Sequence, residues 1–293
     1  MRWVFRVLVM LALVSPAAAA DFDLPPNFQL PPAAAGSFDV LRGTQTVGPA
    51  LFTRWSGFYF GGQAGLSYAG ADFSNATQAL VAYSLRNTTL ENDVAPSQWP
   101  VLGIATGSTI GFGGFAGFNT QWQDAIVGME ANFNHAGFSL NAPTAPIGRT
   151  TSDSTGSAYT VNITGTGSMA AANFATLRLR GGWVVGNFLP YAFVGLAVGV
   201  ADTSVTTNVS GTQYTSGSTS VCSRSQPCYP YSFSNGSSAN NQVLYGYTVG
   251  GGVDFALTAN IFLRAEFEWD QFNPPPGFFA NIATGRIGGG LKF

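Results

Sequence analysis

Charged residues recur at alternate positions in the second half of the chain, and ion pairing is the chemistry that they predict. Arg264, Glu266 and Glu268 alternate with apolar residues. The charges on this face are nearly balanced, as expected for pairs across a narrow lumen, because an unpaired buried charge is strongly destabilising. The alternative is the solvated outer face of a soluble barrel, which would carry more charge and more lysine. The predicted lumen set is Glu130, Arg178, Arg180, Asp254, Arg264, Glu266, Glu268, Arg286 and Lys292.

Alternating segments of about ten residues must position these charges, and this is the length that a tilted strand needs to cross a bilayer. The sequence predicts eight of them: 57–68, 109–121, 125–135, 174–185, 191–201, 243–257, 261–269 and 280–293. Residues 181–201 lack any charge and are long enough for a membrane helix, but Asn187 and Pro190 favour two strands. The predicted fold is an all-β, eight-stranded antiparallel up-and-down transmembrane barrel with a flexible N-terminal lead-in.

The predicted connections alternate in length. Residues 122–124, 186–190 and 258–260 form short turns, whereas 69–108, 136–173, 202–242 and 270–279 form longer polar loops. Short turns at one end and long loops at the other are typical of outer-membrane barrels. An eight-stranded interior is filled by side chains, so an open channel is not expected.

The N-terminal region predicts export. Arg2 and Arg6, the apolar run 7–14 and the alanines at 18–20 form a secretory signal over residues 1–20, with mature protein starting at Asp21. Residues 21–54 contain two Pro-Pro pairs and predict a flexible periplasmic lead-in, and the barrel follows over 55–293. Only 9% of residues are charged and Lys292 is the single lysine, so nucleic acid is excluded as a partner.

Cysteine and histidine offer little further chemistry. Cys222 and Cys228 are the only cysteines, and their short spacing in an exported chain predicts a disulfide, with two free thiols as the alternative. Their loop is expected to lie away from the strand ladder. His135 is the single histidine and cannot build a metal site with these thiols, so no metal or cofactor is predicted.

The C-terminal strand ends on an aromatic residue. Ile287, Leu291 and Phe293 lie on one face, with Arg286 and Lys292 on the other. We interpret the three apolar residues as a C-terminal insertion signal, on a last strand that pairs with the first and leaves no free edge.

Several motifs carry a family resemblance. The segment 55–61 is WSGFYFG and resembles the W-x-G-x-Y-x-G opening of the alphaproteobacterial outer-membrane β-barrel family, the porin-like or OmpA-like immunogenic surface antigens. Later segments are similar to its strand motifs in the same order: GFAGFN at 114–119, GME at 128–130, LRLR at 177–180, GVDF at 252–255 and RAEF at 264–267. This resemblance implies envelope integrity and surface exposure rather than a reaction.

The sequence therefore predicts a non-enzymatic protein of the bacterial outer membrane, with a charge-plugged lumen and displayed loops. Its expected partners are outer-membrane lipid, the outer-membrane assembly machinery and host or environmental ligands at the loops. A small porin or haem-uptake barrel is the alternative, with Tyr214, Tyr229 and Tyr231 as candidate haem ligands. A lipid-modifying enzyme is a third class, but Ser139 and Glu130 do not form an evident site with His135.

Overall fold

A computed structural model describes residues 54–215, 222–224, 227–273 and 279–293. The predicted signal peptide and nearly all of the lead-in, up to residue 53, lie outside this part of the chain. Two short α-helices and nine strands are present in it. The helices are α1 (Gln78–Ser84) and α2 (Thr89–Val94); the strands are β1 (Gly57–Asp72), β2 (Ile104–Trp122), β3 (Ala125–Asn141), β4 (Ile147–Ser152), β5 (Ala158–Trp183), β6 (Phe188–Tyr214), β7 (Cys228–Ala256), β8 (Ile261–Phe272) and β9 (Phe279–Lys292).

Eight of the strands close into a ring, which confirms the predicted antiparallel up-and-down barrel. The order is β1-β2-β3-β5-β6-β7-β8-β9, and β9 pairs back with β1. Following paired residues once around the ring from Ser108 on β2 returns to that strand at Phe118, ten residues along. This stagger corresponds to a strand tilt of about 40°.

Short turns join the strands at one end of the barrel, as predicted, but the longer connections differ from the prediction. Strands β5, β6 and β7 have 26, 27 and 29 residues, well beyond the length that crosses a bilayer. Most of the predicted loops 136–173 and 202–242 are therefore strand. Their Ser, Thr and Asn residues alternate with Val161, Ile163 and Val209, and the buried aliphatic face stabilises the sheet.

The extended strands form a sheet that rises from one side of the barrel, which we call the wall. It consists of β4 with residues 158–168, 203–214 and 228–239 of β5, β6 and β7. Register shifts between His135 and Phe138, Ala171 and Asn173, and Ala201 and Thr203 mark where the barrel passes into it. These bulges bend the strands.

The connection from β1 to β2, residues 73–103, contains both helices and is called the cap. Its Val81, Leu85 and Leu90 are buried against Ile163 and Val209 on the wall. Hydrogen bonds add to this packing: Asn235 donates to Ser84 at 2.6 Å and Thr89 donates to Asp153 at 2.5 Å. The predicted loop 69–108 is thus partly helical and folded onto the sheet. The helices of the described residues are too short to cross a membrane.

Candidate functional site: the barrel lumen

Alternation within each strand sends its charges inward and its large apolar residues outward. On β5, Arg178 and Arg180 are 1% and 3% exposed, whereas Leu177 and Leu179 between them are 52% and 60% exposed. β8 has the same arrangement: Arg264, Glu266 and Glu268 are buried, whereas Leu263 and Phe267 between them face outward. The face that bears the charges is therefore the lumen face.

Eight of the nine predicted charges meet in one cluster, here called the lumen network: Glu130, Arg178, Arg180, Asp254, Arg264, Glu266, Glu268 and Arg286. Each arginine contacts at least two carboxylates. Arg178 pairs with Glu130, with Glu266 at 2.8 Å and with Glu268 at 3.2 Å. Four arginines thus meet four acids, so the desolvation cost of each charge is offset by direct partners.

The contact between Arg264 and Glu130 spans the barrel. Arg264 is on β8 and Glu130 is on β3, strands that lie opposite each other in the eight-membered ring. The guanidinium Nη1 nevertheless lies 2.8 Å from the Glu130 carboxylate, and its Nε lies 2.8 Å from Asp254 on β7. This direct ion pair between opposite strands narrows the lumen at its level.

Aromatic side chains contact both the arginines and the carboxylates of the lumen network on its short-turn side. The Tyr59 hydroxyl donates to Glu130 at 2.8 Å, and the Tyr191 hydroxyl donates to Glu266 at 2.7 Å. The Arg264 guanidinium lies 3.9 Å from the Phe115 ring centre, and that of Arg180 lies 3.8 Å from that of Tyr191. Such cation–π contacts are stronger where water is excluded.

Apolar layers lie on both sides of the lumen network. Toward the short turns, Trp55, Phe115, Leu189 and Phe262 fill the barrel end. Toward the cap, a second cluster that includes Phe73, Phe138, Phe174 and Phe272 fills the other end. Two interior cavities among the described residues measure about 20 Å³ and about 10 Å³, the scale of one or two water molecules.

Lys292 is the exception among the predicted lumen charges. Its Nζ donates to the Arg54 carbonyl oxygen at 2.8 Å and lies 4.1 Å from the Trp55 ring centre. It makes no ion pair with the described carboxylates, so the sequence placed it on the correct face but in the wrong cluster. Its position near the strand end, at the short-turn mouth, explains the difference.

The sequence did not predict two groups of buried polar residues in the lumen. Asp270 has no exposed surface, and neither of its carboxylate oxygens has a hydrogen-bond partner among the described residues. Gln63 donates to Asn132 at 2.8 Å and to Asn134 at 2.7 Å beside the network. The alternation of Asp270 with Glu268 and Glu266 was the available signal.

The remaining candidate residues lie apart from the lumen. His135 faces outward, where its Nδ1 lies 2.8 Å from the Asn173 side-chain oxygen. Tyr231 donates to the Thr160 carbonyl oxygen at 2.9 Å. Among the described residues, no group of three or more His, Cys, Asp and Glu residues is placed to hold a metal ion.

The cysteines and the C-terminus lie at opposite ends of the molecule. Cys222 and Cys228 form a disulfide, and Cys228 begins β7 opposite Tyr214, so the expected separation of this loop from the strand ladder is wrong. Ile287 and Leu291 face outward, and the Phe293 ring stacks on Phe60 at 5.9 Å. The Phe293 amide donates to the Phe58 carbonyl oxygen, which extends the pairing of β9 with β1.

Comparison with known proteins finds similarity only among solved structures. No model of a known protein family matches the chain, and no curated protein matches it. Ail, the attachment invasion locus protein of Yersinia pestis, aligns over 81% of this chain and 99% of its own, at 10% identity and a TM-score of 0.27. Neisserial surface protein A aligns over 81% and 98% at 15% identity and a TM-score of 0.32. At these values the similarities say nothing about what this chain binds or does.

Proposed function

We propose that this chain is a non-enzymatic integral protein of the bacterial outer membrane, with a sealed lumen. It contributes to envelope integrity, and the wall and cap are its surface for contacts outside the cell. The direct Arg264–Glu130 ion pair across the ring carries the sealed-lumen part of this proposal.

The outward face supports the membrane location. Large apolar residues are exposed around the barrel, among them Leu177, Leu196 and Ile287. A soluble protein rarely exposes so continuous an apolar surface. Aromatic residues border this belt at both ends, as at the two interfaces of a membrane barrel. They are Phe58, Trp122, Trp183, Phe188 and Phe293 near the short turns and Tyr68, Tyr245, Tyr247 and Phe279 near the wall.

The filled interior favours this function over the alternative of a small porin or haem-uptake barrel. The lumen network and its two apolar layers occupy the barrel from end to end. The hydrogen-bond partner of the His135 ring among the described residues is Asn173, and not the serine or acid that a lipid-modifying site would need.

The strand motifs support a narrower proposal, membership in the alphaproteobacterial outer-membrane barrel family. The motifs at 114–119, 128–130, 177–180, 252–255 and 264–267 fall on β2, β3, β5, β7 and β8 in the family's order. Removal of residues 1–20 and recognition of Ile287, Leu291 and Phe293 by the assembly machinery belong to the same proposal.

Fractionation and conductance test the proposed function together. We expect the mature protein, starting at Asp21, in the outer-membrane fraction, with a band whose migration changes on boiling. Surface protease should cut only in the cap, the wall or the loops beside them. In planar bilayers the protein should show no large stable conductance. Recovery from the inner membrane with an uncleaved signal would refute the location, and a stable open pore would refute the sealed lumen.

A further inference from the structure

The outer face of the wall is a regular array of hydroxyl and amide groups. Thr164 on β5, Asn208 on β6 and Ser234 on β7 form one row across the sheet. Asn162, Ser210 and Ser232 form the next row. Rows of this kind repeat about every 7 Å along the strands, and residues within a row are about 4.8 Å apart.

This face has neither the charged groups of an anion-binding surface nor the apolar centre of a protein interface. None of the residues in these rows is charged, and Arg149 of the neighbouring β4 is turned to the other face, where it lies 4.5 Å from the Trp99 ring centre. An anionic ligand such as a phosphate would require basic partners. A protein interface would normally have an apolar or aromatic centre, which these rows do not offer.

The hydroxyl array continues the lipid-exposed surface of the barrel. On β6 the outward residues pass from Val198 and Val200, both exposed and apolar, through Asp202 at the boundary to Ser204 and Thr206 in the wall. A molecule seated in a membrane would therefore present this face to whatever lies directly above the acyl chains. In the outer leaflet of an outer membrane, that layer is the sugar of the glycolipid.

We propose that the outer face of the wall binds the oligosaccharide of the surrounding outer-leaflet glycolipid through this array; the inference rests on the proposed membrane location. Sugar hydroxyls both donate and accept hydrogen bonds, as Ser and Thr hydroxyls do, and Asn adds separate donors and an acceptor. Many weak contacts over a flat face suit a partner that is held nearby at high effective concentration by its lipid anchor. No charged group is needed for this binding.

The test compares single barrels in nanodiscs that contain either lipid A without sugars beyond its own or a glycolipid that carries a core oligosaccharide. A ligand that binds only the folded wall slows its opening and hence its amide exchange. We expect hydrogen exchange of residues 203–212 to be slower by about threefold or more in discs with the core sugars. Exchange of residues 177–180 inside the barrel should not differ between the two discs.

Variants connect this slowing to the array. The double variant Thr164→Val/Thr206→Val removes two hydroxyls while keeping β-branched side chains and should reduce the slowing. Thr164→Ser/Thr206→Ser, which keeps the hydroxyls, should retain it. The control Thr106→Val/Ser108→Ala removes two outward hydroxyls of β2, away from the wall, and should also retain it.

The outcomes separate the two proposals. Equal exchange in the two kinds of disc, or slowing that is undiminished in the Thr164→Val/Thr206→Val variant, would overturn the sugar-binding assignment while leaving the membrane location intact. Slowing by the core sugars on the control face of β2 instead would overturn it as well. Failure of the folded protein to enter either disc would refute the proposed membrane location itself, and the sugar-binding inference with it.

Discussion

The Glu266 carboxylate accepts three hydrogen bonds in the middle of the lumen. Arg178 and Arg286 each donate at 2.8 Å to one oxygen, and Tyr191 donates at 2.7 Å to the other. We expect Glu266→Ala to reduce the free energy of unfolding by about 3–5 kcal/mol, because it takes a carboxylate partner from two buried guanidinium groups and leaves the four arginines of the lumen network with three acids. The urea midpoint of the refolded barrel measures this change.

Leu263→Ala is the matched control on the same strand. Leu263 faces outward and is 48% exposed, so lipid or detergent can fill the space that the substitution leaves. Its midpoint should shift less than that of Glu266→Ala. A large fall in the urea midpoint for Leu263→Ala, together with little change for Glu266→Ala, would mean that the inward and outward faces of the barrel have been assigned the wrong way round.

Asp270 should behave in the opposite way. It is the fifth buried acid beside four arginines, and its carboxylate has no described hydrogen-bond partner. We expect Asp270→Asn to be neutral or to raise the urea midpoint, because it removes a group that is costly to bury unpaired. Asp254→Asn serves as the comparison and should lower the midpoint, since Asp254 contacts Arg180 and Arg264. A large loss in Asp270→Asn would show that this acid stabilises the lumen.

Among the elements, the cap is linked to the wall in part by an acidic residue. Asp153, just after β4, accepts hydrogen bonds from Thr89 of α2 and from the Thr155 and Ser157 amides. Burial opposes the charged form of Asp153, but the hydrogen bonds from Thr89, Thr155 and Ser157 outweigh it and hold its pKa well below its usual range. The charged carboxylate therefore links α2 to the wall.

This link predicts a specific dependence on pH. The stabilisation from a depressed pKa is complete above the unfolded value, about 3.9, and is lost as pH falls through the lower folded value. Pepsin should therefore cut the cap slowly at about pH 4 and faster as the medium becomes more acidic. Pepsin should cut the Asp153→Asn variant readily at about pH 4 and also in the more acidic medium.

Asp124→Asn, in the turn after β2 at the other end of the barrel, controls for general effects of losing a carboxylate. It should behave as the unaltered protein does. Equal pepsin resistance of Asp153→Asn and Asp124→Asn would mean that the Asp153 carboxylate is not needed to hold the cap on the wall.

The sequence predicted the membrane-level strands better than the wall and the cap. Alternation of large apolar residues identified all eight barrel strands, because lipid and lumen impose opposite polarity on neighbouring positions. In the wall both faces include small polar residues, so the pattern of Val161 and Ile163 among threonines predicts a polar loop and not a strand. The cap had a helix-start signal, since Thr88 accepts a hydrogen bond from the Glu91 amide at 3.2 Å. Its apolar residues were too few to predict where it would pack.

At the scale of the whole molecule, the interior should be sealed by its own side chains rather than by the cap. We expect replacement of residues 76–100 by a short Gly-Ser linker to leave conductance in planar bilayers low. The reason is that the lumen network and the aromatic layer below it remain in place. The unaltered protein is the control in the same bilayers. A large stable pore in the shortened protein would show that the cap closes the barrel.

The sequence predicted which charged residues face the lumen, but not which of them pair with one another. Alternation identified the inward face of each strand, and eight of the nine named charges lie in the lumen network. The assignment failed where position along the barrel axis mattered, because a period of two carries no information about height. Lys292 lies at the mouth with Trp55, and Asp270 lies deep beside Glu268.

Under the proposed membrane location, the length of β5, β6 and β7 affects how the protein inserts. If the short turns remain on the side from which insertion starts, the whole wall must pass through the hydrocarbon layer once. Residues 154–177, 203–214 and 228–253 contain no charged side chain. A lysine or arginine near the bilayer midplane costs about 2–4 kcal/mol in a barrel, so a wall whose only charged residue is Arg149 of β4 meets a lower barrier in transit than a highly charged one. The composition of the wall therefore affects the rate of assembly, and a lysine placed on its outer face should slow insertion even where the finished fold tolerates it.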